Sequence, residues 1–194
     1  MAAAPTLSQA PLWYLSRSTG IVSFVLLTAS VCLGIASTRR ALASPRWPRF
    51  ATQGLHRNVS LLGIAFLVTH VVVTIADGYV PISWWNALVP FTSGGYKQNF
   101  WTGVGTVASD LMLLIVVTSL LRLRMSATAW RWVHLSSYAA WPLAWLHFLK
   151  NGTDAGRGSF GLWIAIAAAA LVGAATGART TLRDDPMPVR SVVR

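Results

Sequence analysis

The sequence predicts an all-α integral membrane protein, a bundle of five transmembrane helices with the N-terminus outside and the C-terminus inside. Three observations predict it. Of 194 residues, 54% are hydrophobic and 11% charged, whereas a soluble domain carries about 25% charged residues. Five apolar stretches each approach the ~20 residues that a bilayer crossing needs. Arginines gather just beyond alternate stretches, the pattern that sets membrane topology. The net charge of +11 is therefore a topology signal. Nucleic acid is excluded as a partner, because no soluble fold is present to carry a basic face. No glycine-rich loop follows a strand-like run, so no nucleotide-binding fold is expected.

Residues 1–16 form an N-terminal segment without a basic n-region or a small-residue cleavage pattern, so no cleaved signal peptide is expected. Trp13 and Tyr14 read as an interfacial anchor. One membrane domain follows over 17–178, and 179–194 is a polar, poorly ordered cytoplasmic tail. The first helix is expected over 19–37, with Cys32, the sole cysteine, inside it as a small hydrophobe. The linker 38–54 carries Arg39, Arg40, Arg46 and Arg49, and Pro45 and Pro48 break any helix there. The second helix spans 55–76. A loop over 77–101, with turns at Pro81, Pro90, Gly94 and Gly95 and with Trp84, Trp85 and Trp101, is expected to lie along the interface. The third helix, 102–123, ends in Arg122 and Arg124; the fourth covers 130–150; a glycine-rich loop, 151–159, leads to the fifth at 160–177. The linkers after the second and fourth helices hold little net charge, which places them outside.

All four histidines fall in two of these helices: His56 and His70 in the second, His134 and His147 in the fourth. An ionisable side chain is expensive inside a membrane, so each is a functional candidate. The two helices are one crossing apart and run parallel. His56 and His134 thus lie near the inner face, His70 and His147 near the outer one. In the second helix the 14-residue separation is a rise of about 21 Å, returning to within about 40° of the same face. In the fourth, 13 residues leave the pair about 140° apart on an ideal helix. Pro142 lies between them, where a kink or local rewinding is expected.

A lone histidine here would read as an interhelical hydrogen-bond partner, but two pairs at matched depths read as ligands. Each level offers two imidazoles and no nearby sulfur or carboxylate. Zinc wants three or four protein ligands. Haem brings four ring nitrogens, so two axial histidines complete its iron, and bundle cores hold such cofactors. Gly63, midway between His56 and His70 and on the same face, would let a flat macrocycle approach or serve ordinary helix packing. Arg57 and Arg131 flank the inner level and fit haem propionates or positive-inside anchors equally. Arg17, Tyr96, Lys97 and Lys150 have the same two readings on the outer side. Trp141 and Trp145 sit beside haems or simply pack. Asp110 in the third helix is either a proton relay, an arginine partner or a hydrogen-bond partner of Ser or Thr.

The spacing His56…His70 and His134…His147, with LWYLSRSTG near the start and VPFTSGGYKQNFWTGVGT before the third helix, resembles the ferric reductase-like transmembrane domain. That group takes in NADPH oxidases, ferric reductases and the haem subunit of the bacterial methionine-sulfoxide-reductase system, and this chain looks like its small actinobacterial members. The resemblance covers residues 12–177. It implies two haem b, inner on His56/His134 and outer on His70/His147, in a multi-pass protein of the plasma (inner) membrane that carries electrons across the lipid bilayer. It makes the chain the electron-transfer subunit of an oxidoreductase. The sequence departs from the oxidases in having five helices rather than six and no flavin or nicotinamide domain. The donor is then a separate flavoprotein or quinol. Ferric iron, a periplasmic-type reductase partner, a flavin protein or oxygen would each serve as outer acceptor. The rival reading is a proton-coupled transporter relaying through histidine and Asp110.

Overall fold

The computed structural model of the chain describes residues 10–37, 49–77, 81–93, 98–152, 156 and 158–181. These form α1 (Ala10–Ser37), α2 (Arg49–Asp77), a short α3 (Trp84–Leu88), α4 (Asn99–Leu120), a 3-10 turn (Arg122–Arg124), α5 (Ala127–Leu135), α6 (Ser137–Asn151) and α7 (Phe160–Thr181). No strand occurs among the described residues. Arg39, Arg40, Pro45, Arg46, Pro48, Gly94, Gly95, Tyr96 and Lys97 lie outside them, as do residues 1–9 and 182–194.

The class is as expected, but several boundaries differ. Helix α1 begins at Ala10, nine residues before the expected start, so Trp13 and Tyr14 sit within it. Helix α2 begins at Arg49, inside the expected linker. The interfacial loop contains α3, opened by a capping box in which Ser83 and Asn86 satisfy each other's backbone N–H. The largest departure is the fourth helix. It is two helices, broken at Ser136, and Pro142 lies inside α6 rather than at the break. Four helices are long and apolar enough to cross a membrane: Pro11–Ser37, Phe50–Asp77, Asn99–Leu120 and Phe160–Thr180. The α5–α6 segment is not among them, since neither piece alone reaches the ~20 residues required.

Large apolar side chains face outward, as lipid demands: Leu62, Val68, Leu114, Val117, Trp163 and Leu171 are all exposed. The interior is small and hydroxylic. Ser16, Thr19, Ser23, Thr28 and Ser30 are buried along α1, Thr102, Thr106 and Ser109 along α4, with Ala140, Ala165 and Ala168 beside them. Small residues let helix backbones approach closely where lipid gives no hydrophobic drive for association. Some of their hydroxyls are satisfied within the turn before, as in Thr19 Oγ1 to the Leu15 carbonyl (2.7 Å) and Thr28 Oγ1 to the Phe24 carbonyl (2.9 Å), while Ser16, Ser23 and Ser30 bond across to α2.

Helices α1 and α2 pack closely and antiparallel, as do α4 and α6. Helix α7 lies against α1 and α6, where Trp145 Nε1 donates to the Ala165 carbonyl (2.9 Å) and Arg179 Nη1 to the Tyr138 hydroxyl (2.8 Å). Contact between α2 and α4 is sparse. The gap between the two pairs opens into a cavity of about 260 Å³ walled by α1, α2, α3, α4 and α6.

Candidate functional site

Three of the four histidines are held in one way. Nδ1 of His70 lies 2.7 Å from the Ser16 carbonyl, Nδ1 of His56 2.9 Å from the Ser30 carbonyl, and Nδ1 of His147 2.8 Å from the Trp101 carbonyl. A carbonyl only accepts, so each Nδ1 carries the proton and each Nε2 keeps a free lone pair. This is how metal-bound histidines are oriented.

Beneath each ring lies a glycine, four residues after the residue whose carbonyl accepts from Nδ1. A Cβ on Gly20 would come within 2.9 Å of His70 Nδ1, on Gly34 within 3.3 Å of His56 Cε1, and on Gly105 within 2.3 Å of His147 Nδ1. The residue four beyond each histidine ties the same pair of helices. Ser16 Oγ bonds Thr74 Oγ1 (2.6 Å), which donates to the His70 carbonyl (2.6 Å). Ser30 Oγ bonds Ser60 Oγ (2.6 Å), which donates to the His56 carbonyl (2.7 Å). Asn151 Nδ2 donates to Thr102 Oγ1 (3.1 Å). The sequence reading missed α1 entirely as a ligand-positioning helix. The signal was present: Ser16-x3-Gly20 and Ser30-x3-Gly34 repeat at the same 14-residue interval as His56 and His70.

His134 is the exception. Its Nδ1 is buried and has no partner among the described residues. Its ring stacks on Trp130 at 4.9 Å and 25°. The ring centres of His56 and His134 are 6.2 Å apart, inclined at 77°. Two imidazoles on one metal, each bonded at about 2 Å with a further ~1.1 Å to the ring centre, have centres about 6 Å apart. The observed spacing fits a shared iron. His70 and His147 line the cavity between the helix pairs together, with Arg17 and the buried Asp77 on its wall.

Other expected residues divide by level. The Arg17 guanidinium lies 4.0 Å over the Trp13 ring at the cavity's edge. Arg57 and Arg131 are exposed at the His56/His134 end. Lys150 lies 5.7 Å over Trp101. Gly63 takes the packing reading: it faces α1, its added Cβ would meet Leu26 Cβ at 3.4 Å, and its carbonyl accepts from Ser23 Oγ (3.1 Å). The glycines that lie against histidine rings are Gly20 and Gly34 on α1 and Gly105 on α4. Trp141 donates to Thr28 Oγ1 (3.1 Å) and stacks with Phe24, which stacks with Phe148 at 4.8 Å, filling the depth between the two levels. Asp110 is half-buried and makes no hydrogen bond among the described residues.

No group of three or more His, Cys, Asp or Glu comes together among the described residues. Pairs of imidazoles suit a metal that brings its own equatorial donors, and the residues present fit haem. Neither a curated protein nor a solved structure matches the chain. The family model described as "Ferric reductase like transmembrane component" does match, over residues 19–145, which hold His56, His70 and His134 and stop two residues short of His147. That match spans more than half of the chain, and the chain belongs to this family.

Proposed function

We propose that the chain is a di-haem b-type cytochrome with five crossings, N-terminus outside, carrying electrons across the plasma membrane from the cytoplasmic side to an outer acceptor. Helices α5 and α6 together make the fourth crossing. His56 and His134 would hold the inner haem iron, and His70 and His147 the outer. The observation that carries this reading is the set of three imidazoles turned by backbone carbonyls to present Nε2, with the fourth, His134, at ligand distance from His56. Haem, when bound, supplies the one-electron chemistry.

The chain's own residues do the rest. The carbonyls of Ser16, Ser30 and Trp101 fix tautomer and ring direction, so the ligands need little rearrangement. Gly20, Gly34 and Gly105 give the rings their space. Arg17 supplies positive charge where outer propionates would sit, and Arg57 and Arg131 do so at the inner level. Phe24, Trp141 and Phe148 keep water out of the interval. A separate flavoprotein or quinol delivers electrons. The proton-relay alternative loses ground because three Nδ1 protons are committed to backbone carbonyls.

A pyridine-haemochrome assay on protein made with ample haem is expected to give two b haems per chain, released by acidified solvent. None at all would end this reading. In redox titrations, His56→Ala should abolish one component and His134→Ala should displace that same component from its native potential, leaving the haem on His56, while His70→Ala and His147→Ala should abolish the other. A match between His56→Ala and His147→Ala would break the pairing.

A further inference from the structure

The four ligand positions are not built alike, and the difference falls on one residue. His56, His70 and His147 each have a carbonyl on Nδ1, a glycine under the ring and a polar tie one turn on. His134 lacks the first two: its buried Nδ1 is unpartnered among the described residues, and no described glycine has its ring among its nearest neighbours, while the tie one turn on, Tyr138 to Arg179, runs to α7. It rides on α5, a nine-residue helix that buries no residue, with Trp132 71% exposed. The chain turns at Ser136, two residues beyond, where the Ser136 N–H and hydroxyl both close on the Val133 carbonyl (3.0 and 2.6 Å). Trp130, bonded to Ser119 Oγ (3.4 Å) and covered by Arg122 at 4.6 Å, offers the imidazole a fixed flat surface to rest on.

We propose that His134 is an exchangeable ligand, and that the iron it shares with His56 takes up a small neutral π-acceptor ligand of the carbon monoxide or nitric oxide class. The proposal rests on the di-haem reading. In the exchange one iron–imidazole bond breaks and one iron–diatomic bond forms. The imidazole leaves neutral and the diatomic enters neutral, so no proton or charge is stranded in the low-dielectric interior. The His70/His147 iron stays closed, because both its imidazoles are bonded to carbonyls of helices they pack against.

The test uses purified, dithionite-reduced full-length protein whose two haems have first been counted by haemochrome. Carbon monoxide is expected to shift the Soret band of one haem of the two. The shift should persist in His147→Ala, which keeps only the inner haem, and be absent in His56→Ala. Uptake should saturate with carbon monoxide concentration, because departure of His134 limits it. In His134→Gly that ceiling should vanish and the rate should rise linearly. The kinetic arm stands even where His56→Ala fails to fold. Two haems with no carbon monoxide shift would overturn the exchange and leave the di-haem reading intact. A shift of both haems, a shift retained in His56→Ala, or saturation retained in His134→Gly would also overturn it. Absence of haem altogether would remove both.

Discussion

Gly105 admits no side chain: a Cβ there would stand 2.3 Å from His147 Nδ1, with no room for the ring to retreat from the Trp101 carbonyl it bonds. The distance lengthens to 2.9 Å at Gly20 under His70 and 3.3 Å at Gly34 under His56. Overpacking costs about 1–3 kcal/mol, and here it acts on a ligand rather than on bulk core. Gly105→Ala is therefore expected to lose the His70/His147 haem, Gly20→Ala to weaken its retention, and Gly34→Ala to change little. Gly63→Ala, at an ordinary 3.4 Å from Leu26, should keep both haems. Haem per chain after gel filtration reads the series. Loss in Gly63→Ala with full retention in Gly105→Ala would show that the glycines do not act through the histidines. Helical phase alone put Gly63 on the histidine face. What it lacked was the neighbour, since only tertiary packing says that α1 covers that glycine.

At the scale of elements, the pairing of two parallel histidine helices was legible because their depths match, whatever lies between. The phase of the second pair was not. Thirteen residues leave His134 and His147 out of register on one continuous helix, and the chain resolves this with a turn at Ser136. Serine is ordinary within helices, so nothing marked that break, whereas Pro142 drew attention and is accommodated within α6. Pro142→Ala is accordingly expected to leave both haem spectra unchanged and to raise the melting temperature slightly by restoring the bond to the Tyr138 carbonyl. Loss of the His134 signal in that variant would return the hinge to the proline. The early start of α1 was hidden for a related reason. Ser16, Arg17 and Ser18 fall before the expected start at residue 19, yet Ser16 is buried and holds His70. Polar residues placed for ligand positioning looked like the end of a membrane segment.

The whole molecule is electrically lopsided. Arg122, Arg124, Arg131 and Arg179 are exposed at the His56/His134 end, while at the other Arg17 and Asp77 line the cavity and Lys150 lies over Trp101. The positive-inside rule predicts that the arginine end is cytoplasmic. Cys32 is the sole cysteine, so a Cys32→Ala background allows single reporters. In intact cells an impermeant thiol reagent should label Gly156→Cys and spare Thr128→Cys; the reverse would invert the topology and with it the direction of electron flow. On the proposed reading, the same end is where a soluble donor docks. In vesicles exposing it, a reduced acidic flavoprotein should reduce the inner haem at a rate that falls as salt is raised, because screening shortens to about 8 Å at physiological ionic strength. Arg122→Gln/Arg124→Gln/Arg131→Gln together should lower the low-salt rate and flatten that dependence, with haem content unchanged. Quick reduction by quinol alongside none by any flavoprotein would place the donor in the bilayer, and those arginines would then serve topology alone.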